Sequence, residues 1–204
     1  ENSLVDSILV DVTHGAFASF ELEASSSSIS ADEILYLNTT RIDVRGNRLA
    51  VILPIENWTS VADGQVVTGL PASWVPTLQG TKSISASYQG STETIQVFVT
   101  RGKISQMDIL IYDEVSNGDV FLITTDEQIS ASIKALDSNG NQWLIDGNWS
   151  FFHPNFADES VLSSNYSQEI TFSPTMSSST PYTIYVEHTE LDVVISDNFV
   201  VYVS

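Results

Sequence analysis

The sequence predicts an all-β chain built as two tandem sandwich modules, and three observations carry that prediction. A short phrase occurs twice, Asp43-Val44-Arg45-Gly46-Asn47 leading to Trp58 and Asp137-Ser138-Asn139-Gly140-Asn141 leading to Trp149. Apolar residues alternate with polar ones at period two through most of the chain, enriched in β-branched and aromatic types. No stretch shows a 3.6-residue period with helix caps.

The repeat extends beyond the phrase. Ile8, Val10, Val12, Thr13 and Gly15 recur as Ile95, Val97, Val99, Thr100 and Gly102. Phe17, Phe20, Leu22 and Ala24 recur as Ile104, Met107, Ile109 and Ile111. Asp32-Glu33 precedes Gly46-Asn47 by the spacing that separates Asp126-Glu127 from Gly140-Asn141. A third copy of the terminal strand closes the chain at Phe199, Val201, Val203 and Ser204. The expected organisation is a module over 15–101, a module over 102–204, and a segment 1–14. That segment is read as the terminal strand of a preceding repeat, in a piece of a longer protein, or else as the first strand of module one, with Glu1 a mature N-terminus. With only Thr100-Arg101-Gly102 at the junction, the modules are expected end to end.

Individual strands follow from the alternation. Ile34, Tyr36 and Asn38 are expected on one face, matching Ile129, Ala131 and Ile133 in the second module. Ile84, Ala86 and Tyr88 alternate with serines before a turn at Gln89-Gly90 into Ile95–Val99; the second module answers with Tyr182, Ile184 and Val186, then Phe199–Val203. The serine runs 25–28 and 177–179 read as loops. About seven short strands per module, with turn signals between them, is the pattern of an immunoglobulin-like sandwich.

Charge bounds the partners. The chain has 26 Asp and Glu against 7 Lys and Arg, and residues 102–204 alone hold 15 acids and 2 bases, a net −13. Such a surface repels nucleic acid and anionic lipid headgroups. It suits a salty or calcium-rich exterior, or simply solubility. There is no cysteine, so the cores must hold by packing alone, and no apolar run is long enough to insert in a membrane.

The Asp-x-x-Gly-Asn phrase has a structural explanation. The Asp carboxylate can accept backbone N–H groups just ahead of it, Gly allows positive φ, and Asn tolerates the left-handed region. Asp137, Asn139 and Asn141 also present oxygens at alternate positions, as calcium loops do. Against that, Gly140 is fourth rather than sixth, no acid occupies the twelfth position, and Arg45 replaces the middle oxygen in the first copy. The turn reading is preferred, with no metal or cofactor expected.

Catalytic chemistry is not visible. His14, His153 and His188 lack ligand spacing, and no Gly-x-Ser-x-Gly occurs. Adjacent acids such as Asp113-Glu114 would face opposite sides of a strand. Trp58 and Trp149 occupy matching positions and read as core anchors. The aromatic candidates for an exposed ligand platform are Trp74, between Pro71 and Pro76 on an expected loop, and Trp143. Sequons at Asn38, Asn57, Asn148 and Asn165 are candidate glycosylation sites.

Together, the Asp43–Asn47 and Asp137–Asn141 turns and the closing pattern Ile84-x-Ala86-x-Tyr88-Gln89-Gly90 into Ile95-x-Val97-x-Val99 resemble bacterial immunoglobulin-like repeats of the invasin and intimin type. The resemblance covers nearly the whole chain. It differs in placing Trp58 and Trp149 on the strand after the turn and in Val186-Glu187-His188 where a Tyr-x-Gly phrase is usual. It implies non-catalytic stalk or adhesion modules of a larger secreted or cell-surface protein, or a carbohydrate-binding accessory region beside an extracellular enzyme. The partners implied are neighbouring repeats and a surface protein or glycan.

Overall fold

The computed structural model describes residues 7–59, 63–64, 66–112, 114–115, 120–157, 161–190 and 193–204. The chain divides into two compact units, Glu1–Thr100 and Arg101–Ser204, called modules one and two below. Module one contains β1 (Phe17–Ala24), β2 (Ser28–Ser30), β3 (Leu35–Asp43), β4 (Arg48–Ala50), β5 (Trp58–Thr59), β6 (Val66–Val67), β7 (Ala72–Trp74), β8 (Gly80–Tyr88) and β9 (Ser91–Thr100). Module two contains β10 (Ile104–Ile111), β11 (Glu114–Val115), β12 (Val120–Ile123), β13 (Ile129–Asp137), β14 (Gln142–Leu144), β15 (Gly147–Phe152), β16 (Tyr166–Ser167), β17 (Glu169–Phe172), β18 (Ser178–Glu190) and β19 (Val193–Val203).

Each module is two sheets around one core. In module one β1-β3-β7-β6, with β4 also on β3, faces β5-β8-β9-β2. In module two β11-β10-β13-β14, with β17 on β13, faces β12-β19-β18-β15-β16. Among the described residues, all strand pairings are antiparallel except two. β2 runs parallel to β9, pairing Ser28 with Phe98 and Ser30 with Thr100, and β12 runs parallel to β19, pairing Val120 with Val200 and Ile123 with Val203. The chain is an all-β pair of immunoglobulin-like sandwiches, as the strand pattern predicts.

Inward-facing alternate residues form the cores. Module one buries Phe20, Leu22, Leu35, Leu37, Trp58, Trp74, Ile84, Ala86, Val97 and Val99; module two buries Ile109, Ile129, Ala131, Ile133, Trp149, Phe172, Tyr182, Ile184, Val186, Phe199 and Val201. The matching tryptophans are therefore core residues in both. β13 is the clearest strand, with residues alternating buried and half-buried along its length.

One expected register is shifted by a residue. Ile34, Tyr36 and Asn38 point outward, and Leu35, Leu37 and Thr39 point inward, because Asp43 aligns with Asp137 and so Leu35 aligns with Ile129. A one-residue slip exchanges the two faces of a strand. Thr39 disguised the period: it is a buried polar residue whose Oγ1 donates to the Val51 carbonyl at 2.5 Å, and its counterpart in module two is the apolar Ile133. Residues 7–14 have no regular secondary structure, with Ile8 89%, Val10 68% and Val12 85% exposed. Residues 1–6 of the expected terminal segment lie outside the described residues.

Candidate functional site

The repeated turn forms the same hydrogen-bonded centre in each module. Asp43 Oδ1 accepts the backbone N–H groups of Arg45 and Asn47, both at 2.9 Å. Its Oδ2 accepts the Gly15 N–H at 2.9 Å and the Asn47 side-chain amide at 2.8 Å. Asp137 repeats this atom for atom: Oδ1 accepts from Asn139 and Asn141 N–H at 2.9 Å, Oδ2 from Gly102 N–H at 2.8 Å and Asn141 Nδ2 at 2.7 Å. Gly46 and Gly140 close the two turns, each at φ +83°. One carboxylate thus ties the end of a long strand to the turn beyond it and to the glycine that enters the module.

The electrostatics match the geometry. Hydrogen bonds from the Asn47 side chain and from Gly15 N–H lead in holding the Asp43 carboxyl well below the usual carboxylate range, against opposition from burial. At Asp137 burial pushes upward, but donation from the Asn141 side chain, Gly102 N–H and the turn N–H groups outweighs it, and the net shift is downward. With two donors on each oxygen, the Asp137 carboxylate directs no further lone pair at a cation. Among the described residues, no group of three or more His, Cys, Asp or Glu side chains is placed to hold a metal ion.

Trp74, expected on an exposed loop, is completely buried, at 0% exposure. It is the last residue of β7, pairs with Leu35, and occupies the core position that Phe172, paired with Ile129, fills in module two. Its indole N–H donates to the Asp63 carbonyl at 2.5 Å, and the Asp63 carboxylate accepts from Thr77 and Leu78 N–H and the Thr77 hydroxyl. As folded, the ring offers no face to a ligand. The signal was present in the sequence, since Ala72-Ser73-Trp74 repeats the alternation of Ile170-Thr171-Phe172. Trp143 is half-buried on β14, packed against the core, with the Arg101 guanidinium 4.4 Å from the ring centroid. That stacking covers the surface a sugar would need.

Two of the three histidines, His153 and His188, are committed to structure, while His14 is exposed in the irregular segment 7–14. His153 is buried, stacked on Phe156 and Tyr182 at 4.6 and 4.4 Å. Its Nδ1 accepts from Asn155 N–H at 3.1 Å, which leaves the proton on Nε2, where the Ser178 hydroxyl lies at 2.9 Å and the Thr180 carbonyl at 3.1 Å. With both nitrogens engaged, it has no free lone pair for base catalysis. His188 Nδ1 lies 2.7 Å from the Asp146 carbonyl oxygen, so this nitrogen donates the bond.

Of the sequons, Asn38 and Asn148 are exposed on strands and Asn165 is exposed beside β16, whereas the Asn57 amide donates to the Ser87 carbonyl at 2.7 Å. A cleft of about 370 Å³ beside β15 is lined by Trp149, Ser150, Phe151, Leu162, Ser164 and Asn165. It contains neither a titrating pair nor a cluster of charge.

No protein-family model matches the chain, and no curated protein matches it in sequence. Solved structures do. Invasin, described as a bacterial integrin-binding protein, is similar at TM-score 0.51 and 16% identity over 93% of this chain and 41% of its own. The Escherichia coli adhesin FdeC aligns at TM-score 0.48 and 14% identity over 93% of this chain and 66% of its own. The D00-D0 domain of intimin aligns at TM-score 0.45 and 10% identity over 91% of this chain and 100% of its own. The present chain therefore spans about two fifths of the length of the invasin structure it matches. By fold, it is a pair of immunoglobulin-like β-sandwiches of the kind found in bacterial surface proteins such as invasin.

Proposed function

We propose that the two modules are non-catalytic spacer and adhesion repeats of a larger secreted or cell-surface protein, built to withstand tension along the chain. The observation that carries this reading is the parallel pairing of a short early strand with the last strand of each module, β2 with β9 and β12 with β19. Tension enters module one through β1 and module two through β10 and β11, which pair antiparallel in the opposite sheet, then reaches β2 or β12, and it leaves through the last strand. Parallel neighbours loaded this way are sheared, so their hydrogen bonds must fail together rather than one at a time. The acidic surface, the lack of cysteine and the invasin-like fold all suit an exterior location. Residues 7–14, which carry the same Ile-x-Val-x-Val-Thr pattern as β9, are suited to complete the sheet of a neighbouring repeat.

Single-molecule stretching of the chain between its termini tests the reading. Two unfolding events are expected, the stronger from module two, whose parallel pair spans four residue pairs against three in module one. Forced unfolding reports the barrier to unfolding rather than equilibrium stability. A gradual extension without discrete events would refute a tension-resisting role. A carbohydrate-binding role is the second reading, and one surface of module two favours it.

A further inference from the structure

The repeat supplies its own control for surface composition, because equivalent positions on the outer faces of β8 and β9 and of β18 and β19 can be read off the paired registers. Ile84 pairs with Ile95 in module one, and Ile184 pairs with Phe199 in module two. From that anchor, Ser85 corresponds to Tyr185, Ser83 to Thr183, Gln96 to Val200 and Phe98 to Tyr202. Across the parallel pairs, Ser28 beside Phe98 corresponds to Leu122 beside Tyr202.

Apart from the exposed Phe98, module one covers this face with hydroxyls and Gln96, and Ser85 and Ser87 bond across the strands to Thr94 and Thr92 at 2.8 Å. Module two replaces them with carbon. Val120, Val200, Thr183 and Phe152 form one straight row across four strands, flanked by the Leu122–Tyr202 pair on one side and Tyr185 on the other. Leu122 is 75% exposed, Val120 63% and Phe152 60%. No acidic or basic residue occupies these positions, although residues 102–204 carry a net −13. The face runs into a shallow trough of about 430 Å³ lined by Leu122, Tyr202, Ser204 and the serines 177–179.

We propose that this face is the adhesive surface of the chain and that it takes a neutral polysaccharide. Four strands about 4.8 Å apart and four residues of about 3.3 Å give a flat area of about 250 Å². That is well short of the roughly 800 Å² per partner of a stable protein interface, and it offers no deep anchor pocket. A second copy would also bring together two strongly acidic modules. Anionic lipid and nucleic acid find no counter-charge. A neutral glycan meets none of these obstacles. The C–H faces of its rings pack on Tyr185, Tyr202 and Phe152, and its hydroxyls reach Thr183, Asn198 and the serine-lined trough. A small weak site gains strength on a polymer by repetition along the array.

This proposal rests on reading the chain as an extracellular spacer and adhesion array, but the two fail separately. Loss of glycan binding would leave the unfolding forces unchanged, and weak unfolding forces would leave glycan binding unchanged. The test is co-sedimentation of the whole chain with microcrystalline cellulose and insoluble chitin, and gel retardation in dextran. Saturable retention by at least one is expected, falling at least tenfold in the triple variant Leu122→Ser, Tyr185→Ser, Val200→Gln. These are the residues module one carries at the same positions. Leu122→Ser alone, on a short edge strand, should act in the same direction if the triple variant fails to fold. Absence of retention on all three polymers, or retention unaffected by the substitutions, would overturn the proposal. Self-association of the parent chain that disappears in the triple variant would overturn it in favour of a second copy.

Discussion

The two modules agree where the chain turns and differ where it meets solvent. The Asp43 and Asp137 centres share every donor type and nearly every distance, although the residues inside the turn, Val44-Arg45 and Ser138-Asn139, are unrelated. The outer faces of the matching sheets share almost no side chains, serine and glutamine in one standing against tyrosine, valine and leucine in the other. A carboxylate with four donors tolerates almost no change without leaving donors unpaired. An exposed strand position constrains little beyond β propensity. The comparison separates what the fold requires from what a particular module has been free to acquire.

The largest expected effects break the shared part. Trp74→Ala and Phe172→Ala empty equivalent core positions, and each should destabilise its own module by about 3–5 kcal/mol in urea unfolding. Trp74→Ala should leave module two's transition in place.

Removing the turn carboxylate comes next. Asp137→Ala removes the carboxylate that accepts from Gly102, Asn139 and Asn141 and should cost module two about 3 kcal/mol. Asp43→Ala should weaken module one in the same direction. Both carboxyls titrate lower in the folded chain than in the unfolded one. Their stabilisation is therefore complete above an unfolded-state value of about 3.9 and is lost as pH falls through the depressed folded values. Acid unfolding followed by tryptophan fluorescence should begin below about pH 4, and Asp137→Ala should remove module two's share of that dependence.

Gly147→Ala sharpens a difference between the modules. A Cβ there would lie 2.5 Å from Ile133 Cδ1 and 2.7 Å from Val186 Cγ2, so a loss of about 1–3 kcal/mol is expected in module two. Module one holds Glu56 at the matching position, two residues before Trp58, and Glu56→Ala should be close to neutral. The smallest effect is expected at Thr39→Ile, which gives module one the residue that module two carries as Ile133. The change loses one hydrogen bond to Val51 and gains apolar contact, for a net shift within about 1 kcal/mol in the midpoint of module one.

The fold class and the two-module organisation were legible because the Asp-x-x-Gly-Asn turn fixes register locally and the inward faces alternate cleanly, as in Ile129–Asp137. Thr39 was the obstacle in the first module. A buried hydroxyl bonded to the backbone looks polar in sequence, so the alternation around it was read one residue out of phase. Trp74 was misplaced because its flanking prolines signal a loop, and pairing of three-residue β7 with Leu35 is a long-range contact with no local signature. Trp143 looked available because Arg101, whose side chain stacks on it, lies about forty residues earlier in the chain. The apolar outer face of module two was missed for a related reason. Its residues are scattered over four strands, and only the registers between those strands bring Val120, Val200 and Phe152 into one row.

That the repeated aspartate pins each module through backbone and asparagine side-chain donors is tested by amide hydrogen exchange. The wild-type chain and Asp137→Ala would be compared at neutral pH, with chelator and with millimolar calcium. The account predicts that the substitution strips protection from β10 and β13, leaves β1 and β3 unchanged, and that calcium alters neither pattern. Protection over 102–141 that rises with calcium in the wild type, or that survives the loss of the carboxylate, would contradict it.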